Sequence, residues 1–164
     1  MDKSSTTHTL AILLMVYLLL VGVGAAVLLV ANFPTEPPST GNSPTSAREA
    51  GCAKFLPFEM LITEAQRMIV LALLAGITGS FIHAMQSLSS YVGNGAFTPS
   101  WAMWYIVRPW IGGILGMAVF FAIWAGLVAG TGDRVDPRGV VALGLLGGWF
   151  SKTRSDKLQE VFET

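Results

Sequence analysis

Few residues of this chain could do chemistry, and most of them lie in one long apolar segment, residues 64–92. His83 and Gln86 occur there among small and hydroxyl side chains, at spacings of three and four. Such spacing places side chains on one face of a helix. We therefore predict a helix-packing or pore-facing stripe of seven residues: Gly76, Gly79, Ser80, His83, Gln86, Ser87 and Ser90.

Two interpretations of this stripe stay open. Gly and Ser allow a neighbouring helix to approach closely, and the side chains of His83 and Gln86 could form hydrogen bonds across the contact. Alternatively, the stripe could line a pore or a binding site, because polar side chains in membrane spans point away from lipid.

A remote alternative is that His83 ligates a haem or another pigment, since Gly79, four residues earlier, would leave room for a flat ring. A haem with two His ligands would need a second membrane histidine, and His8 is the only other histidine. A proton relay through His83 is chemically possible because histidine titrates near neutral pH. No acidic residue within the spans continues such a relay, and we predict no cofactor.

Arg108 directly precedes the third predicted span, which begins at Pro109. An Arg at a helix N-terminus opposes the helix dipole, and it costs free energy below the lipid headgroups. One interpretation is an interfacial Arg whose side chain extends to the headgroups. The alternative is an anion-binding or gating role. A lipid phosphate, a carbonyl at the end of the second span, or Gln86 could be its partner.

The sequence does not support an enzyme. No acid lies near enough to orient His83 on the second span, since Glu64 at its first residue is nineteen residues away. No glycine loop follows a strand pattern, and no carboxylates pair within a span. The single Cys52 and the two histidines form no metal-ligand cluster. We therefore predict no catalytic residue and no metal site.

The composition is typical of an integral membrane protein. Charged residues make up 12% of the 164-residue chain, hydrophobic residues 52%, and the mean hydropathy is +0.59. Soluble domains carry about 25% charged residues. The formal net charge of zero gives no reason to expect nucleic acid as a partner.

Three segments are long enough to cross a bilayer, which takes about 20 apolar residues. They are an N-terminal anchor helix in residues 1–31, a second span at 64–92 and a third at 109–130. Thr63 and Gln66 predict a capping box at the start of the second span.

Shorter elements complete an all-α integral membrane fold. Residues 32–62 are a Pro/Ser/Thr-rich linker and surface segment, and 63–150 form the membrane core. An interfacial helix at 99–107 precedes Pro109, which ends or kinks it. Residues 139–150 are apolar but too short to span, which predicts a docked half-helix, and 151–164 predict an amphipathic C-terminal helix.

Glycine and aromatic patterns predict how these helices pack. Two G-x-x-x-G motifs predict close-packing glycines at Gly112, Gly116, Gly126 and Gly130. The glycines of the half-helix predict contact with other backbone: Gly139, Gly144, Gly147 and Gly148. An interfacial set is predicted before the third span, comprising Trp101, Trp104, Tyr105 and Arg108.

The distribution of Lys and Arg predicts an orientation. With three spans, eight basic residues lie on the side of the linker and tail, and Lys3 and Arg108 lie on the other. The positive-inside rule then puts the C-terminus in the cytoplasm. If residues 139–150 crossed the membrane, the count would be five against five and would favour neither orientation.

Several short motifs resemble a family of small bacterial inner-membrane proteins to which no activity is assigned. They are YVGN at 91–94, SW at 100–101, RP at 108–109 with Gly112, and the tail FSKTRSDKLQEVFET. The resemblance covers about the last 100 residues. It implies a multi-pass protein of the bacterial inner membrane and assigns no catalytic residue.

These patterns lead to a functional hypothesis. We predict a non-enzymatic packing or scaffold subunit of a homo- or hetero-oligomeric membrane complex, with lipid and other membrane subunits as its partners. An oligomeric ion or small-solute pore lined by the second span is the alternative.

Overall fold

The computed structural model describes residues 3–34, 52–55, 60–126 and 136–150, and it describes side chains for 6–34, 63–126 and 136–150. Within these residues the body of the molecule consists of four α-helices, α1 (Lys3–Ala31), α2 (Glu64–Gly93), α3 (Ala102–Trp124) and α4 (Pro137–Trp149). A short antiparallel hairpin of β1 (Cys52–Phe55) and β2 (Met60–Thr63) leads into α2. The predicted helical architecture is confirmed, whereas the sequence did not predict the hairpin.

Three of the helices are long and apolar enough to cross a membrane, as predicted. They are α1, α2 and the segment Pro99–Trp124, which includes α3. The predicted tail helix at 151–164 and most of the predicted linker lie outside the described residues.

The start of α2 follows directly from its sequence. The Thr63 hydroxyl accepts from the Gln66 amide at 3.3 Å, and the Gln66 side chain accepts from the Thr63 amide at 3.0 Å. This is the predicted capping box, which satisfies two backbone donors at the helix end. At the other end the chain leaves the helix through Asn94 and Gly95, and Gly95 has a φ of 66° that glycine tolerates best.

Helix α3 corrects the predicted division between an interfacial helix at 99–107 and a span at 109–130. A 3₁₀ turn at Pro99–Trp101 passes into a single helix that continues through Pro109 and ends at Trp124. Pro109 removes one backbone hydrogen bond. A buried helix tolerates that loss where neighbouring elements hold it in place, and Pro109 is buried.

Helix α2 lies at the centre and contacts each of the other three helices. Gly112 and Gly116 of α3 lie beside Gly76 and Ala72 respectively, so α3 runs antiparallel to α2. Leu29 of α1 packs in one cluster with residues near the start of α2, and Leu14 and Leu18 pack near its end, so α1 is also antiparallel.

Helix α4 runs parallel to α2 and covers about half of its length. Gly144 lies beside Ala75, and Gly148 lies beside Gly76 and Ser80. With 13 residues, α4 is about 20 Å long, less than the ~30 Å of a hydrocarbon core. Its N-terminus is capped by Asp136, whose side chain accepts from the Arg138 amide at 3.0 Å. This geometry agrees with a docked half-helix that begins slightly earlier than predicted.

Candidate functional site

The first half of the predicted stripe is where three helices meet. Gly76, Gly79 and Ser80 of α2 are all buried. A Cβ at Gly76 would collide with the carbonyl oxygen of Gly112, and one at Gly79 with that of Leu145. Close backbone approach of this kind needs residues without side chains. These positions are therefore contacts for α3 and α4.

Glycines of α3 and α4 complete this contact. A Cβ at Gly116 would collide with the carbonyl oxygen of Ala72, and one at Gly148 with that of Gly76. The Ser80 hydroxyl also donates a hydrogen bond across the contact, to the Arg108 carbonyl at 2.9 Å. We refer to the seven residues that form the contact as the helix junction: Gly76, Gly79, Ser80, Gly112, Gly116, Gly144 and Gly148.

Four other predicted packing glycines are not part of the helix junction as the structure describes it. A Cβ at Gly147 would meet only the Val119 side chain, at 3.4 Å. Gly126 follows the end of α3 with a φ of 76°, and among the described residues a Cβ there would meet nothing within 4 Å, so close packing is not seen at this position. Gly130 lies outside the described residues. Gly139 has open space around it, since it lies in the first turn of α4.

The second half of the stripe does not form one surface. His83 is half-buried with its Nε2 atom enclosed, whereas Gln86 and Ser90 are exposed. The Ser87 hydroxyl lies 3.4 Å from the Tyr105 hydroxyl. The space beside Gly79, where the sequence left room for a flat ring near His83, is filled by the backbone of Leu145.

Aromatic side chains cluster where α2 and α3 are joined. Trp104 contacts Tyr105 edge-on with ring centroids 4.9 Å apart, and Tyr91 stacks on Trp101 at 6.3 Å. Tyr105 is 1% exposed and Trp101 is 52% exposed. A cavity of about 10 Å³, roughly the space of one water molecule, lies in this cluster and is lined by Tyr91, Ala96, Phe97, Thr98, Trp101 and Tyr105. Placement of these rings at a membrane interface stays a prediction.

Arg108 lies inside the bundle. The residue is 6% exposed, and its Cζ atom lies 5.0 Å from the centroid of the Trp104 ring. Its Nε and Nη2 atoms are buried and have no hydrogen-bond partner within the part of the chain that the structure describes. In this conformation the guanidinium is therefore held within the protein and does not extend into solvent.

The free-energy balance at Arg108 is unfavourable without a further partner. A buried donor left unpaired costs about 1–3 kcal/mol, and a charged donor costs more. A desolvated cation–π contact contributes about 2 kcal/mol of stabilisation. Trp104 therefore offsets only part of the cost of the two unpaired donors.

Two polar contacts between helices were not predicted from the sequence. The Tyr17 hydroxyl of α1 donates to the Ile106 carbonyl at 3.0 Å and accepts from the Trp110 indole at 3.1 Å. Arg67 donates from Nε and Nη2 to the Asn32 carbonyl at 3.1 and 2.8 Å. Tyr17, a polar side chain in the apolar anchor, could have indicated a hydrogen bond between helices. Its partners could not be predicted, because they are 89 and 93 residues away in the sequence.

In the described ranges, no three His, Cys, Asp or Glu side chains come together as a metal site. The absence of catalytic residues and of cofactors stays a prediction.

Comparisons with protein-family models, with curated proteins and with solved structures find no match to this chain. The resemblance to small bacterial inner-membrane proteins therefore stays a prediction. Any function must be argued from the helix junction, the outer surface and Arg108.

Proposed function

We propose that the protein is a non-enzymatic packing or scaffold subunit of an oligomeric complex in the bacterial inner membrane. The observation that carries this proposal is the closed helix junction. Gly76, Gly79 and Ser80, which could have formed part of a pore wall, are instead in contact with α3 and α4 of the same chain.

The outer surface supports a role in assembly. Large apolar side chains are exposed along α1 and α3, including Leu20 at 72% and Trp124 at 70%. Such a surface is covered by lipid or by neighbouring apolar helices. Because the motif of Gly112 and Gly116 is occupied inside the chain, contact with another subunit has to use these outer faces instead.

The proposed orientation places the C-terminus in the cytoplasm. Helix α4 ends level with Ser80, thirteen residues or about 20 Å before the end of α2. Because α4 is shorter than a span, we count three spans, and the positive-inside argument rests on that count.

The mass of the purified particle tests the subunit proposal. We expect the full chain, extracted from native membranes in a mild detergent and transferred to lipid nanodiscs, to carry a protein mass per particle, after subtraction of lipid, detergent and nanodisc scaffold, of more than one 17.5-kDa chain. Native mass spectrometry would give the number and identity of the subunits. A lone monomer in every mild detergent and in nanodiscs would contradict the proposal.

A pore remains the second candidate, because Gln86 and Ser90 are exposed on the stripe face. Planar-bilayer recording discriminates between the two functions. The scaffold proposal predicts no conductance across voltage and pH. A conductance that changes in His83→Leu or Gln86→Leu, and not in Met85→Leu on another face of α2, would favour the pore.

A further inference from the structure

The unpaired donors of Arg108 form a recognisable binding edge. Nε–H and Nη2–H lie side by side on one edge of the planar guanidinium. Through such an edge Arg binds two oxygens of one carboxylate or phosphate group, in parallel hydrogen bonds. The residue that carries this edge is more than nine-tenths buried.

The described part of the chain offers no acidic partner. Its acidic side chains are Glu64 and Asp136, at the N-termini of α2 and α4. Glu64 lies sixteen residues, or about 24 Å along α2, from Ser80, whose hydroxyl bonds the Arg108 carbonyl. Asp136 lies twelve residues, or about 18 Å along α4, before Gly148, which also lies beside Ser80. Neither carboxylate can therefore reach the guanidinium.

The position of the guanidinium favours an anion of the phosphate class. Arg108 is seven residues, or about 10 Å, from Trp101, and its side chain extends back over Trp104 toward the start of α3. If Trp101 lies at the interface, the guanidinium lies within reach of lipid phosphates. This step rests on the membrane location proposed above.

We propose that Arg108 binds a phosphate-type oxyanion through Nε and Nη2, and that the Trp104 ring holds the guanidinium when no anion is bound. The oxyanion is the phosphodiester of a lipid headgroup or free phosphate. Because both donors are covered in the structure, binding separates the guanidinium from the Trp104 ring. Trp104 is only half-buried, so it is the surface-facing side of this contact.

Substitutions of Arg108 and of Trp104 should change the affinity for the anion in opposite directions. We expect Arg108→Lys, which keeps the charge and loses the binding edge, to weaken anion binding at least about tenfold. We expect Trp104→Leu, which removes the competing ring, to tighten it about tenfold. Matched controls are Arg138→Lys and Trp124→Leu, both at the opposite end of the bundle.

The experiment uses the purified full-length chain, delipidated by detergent exchange. Its thermal stability is titrated with phosphatidylglycerol, with diacylglycerol of the same acyl chains, and with inorganic phosphate against chloride at equal ionic strength. Saturable stabilisation by phosphatidylglycerol alone identifies a lipid headgroup. Stabilisation by inorganic phosphate identifies a free anion and does not depend on the membrane location.

Several results would overturn the proposal. One is equal stabilisation by lipids with and without phosphate, and another is an unchanged affinity in Arg108→Lys. A third is a wild-type chain that neither phosphatidylglycerol nor inorganic phosphate stabilises. If Arg108→Lys then also loses oligomer mass, the two donors bind a carboxylate of another subunit instead. If Arg108→Lys does not fold, an affinity of Trp104→Leu equal to wild type would decide against the proposal.

Discussion

At the scale of single residues, the packing of the bundle depends on glycines, whose lack of a side chain lets helix backbones come into contact. Gly76 faces the carbonyl oxygen of Gly112, and Gly148 faces the carbonyl oxygen of Gly76, so the backbones of three helices meet at one level of α2. In the membrane location that we propose, dispersion attraction between backbones at such short separations would replace the hydrophobic driving force that lipid does not supply between helices.

Gly76→Ala tests this close approach. The added methyl group would meet a backbone oxygen that cannot move aside, so we expect a loss of about 1–3 kcal/mol from overpacking. Thermal unfolding of the purified protein in detergent would measure it. Gly24→Ala in α1 is the matched control, because a Cβ there meets nothing within 4 Å. Alanine is the better helix former, so the control should be neutral or slightly more stable. Equal stability of the two variants would contradict the account.

The residue types of the candidate site were predictable, but their contacts were not. A helical wheel is sufficient to place Gly76, Ser80 and His83 on one face. It cannot show that Leu145 fills the space beside Gly79, or that Gln86 is exposed, because those facts depend on how distant segments pack. The same limit explains Arg108, whose burial follows from the position of α3 between its neighbours.

At the scale of elements, the end of α1 is fixed by the start of α2. Arg67 donates two hydrogen bonds to the carbonyl of Asn32, just after the last helical residue of α1. A cation at this end also complements the negative pole of the helix dipole. Glu64 lies 3.5 Å from Arg67 and is about half exposed, so it orients the guanidinium and contributes little free energy.

Arg67→Gln should therefore loosen the end of α1. We expect a loss of about 1–2 kcal/mol, since hydrogen bonds from a charged donor are lost from a partly buried site. Hydrogen exchange should become faster at residues 28–33 while the centre of α1 keeps its protection. Glu64→Gln should leave this pattern unchanged. Unaltered exchange in Arg67→Gln would mean that α1 is held by apolar packing alone.

Element boundaries show which signals in the sequence are reliable. The capping box at Thr63 is a local interaction, and it was predicted correctly. The predicted helix end before Pro109 was wrong, because the packing of a buried helix can offset a proline penalty of about 3 kcal/mol. The predicted alternative, a kink at Pro109, stays a prediction. The β1–β2 hairpin was missed since its segments, CAKF and MLIT, are too short for a clear periodic pattern.

At the scale of the whole molecule, one central helix organises the bundle. Helix α2 contacts α1, α3 and α4, and the half-helix α4 covers the face of α2 on which Gly76 and Gly79 lie. The number of long apolar helices followed from hydropathy and length alone. Their arrangement did not, because shape matching between glycine-rich surfaces carries no signal in one sequence.

Docking of α4 on α2 is the central claim, and a disulfide tests it directly in native membranes. A Cβ at Gly144 would lie 3.1 Å from the Cβ of Ala75, near the Cβ–Cβ spacing of about 3.5–4.5 Å found in disulfides. The variant carries Ala75→Cys and Gly144→Cys in a Cys52→Ser background, with a protease site inserted between residues 126 and 136. The control replaces Gly144→Cys with Ala142→Cys, on the exposed side of α4.

After the membranes are oxidised with copper phenanthroline, we predict that the two proteolytic fragments of the first variant stay joined until a reductant is added, and that those of the control separate without reductant. Fragments that separate in both variants, or that join equally well through residue 142, would contradict the closed helix junction.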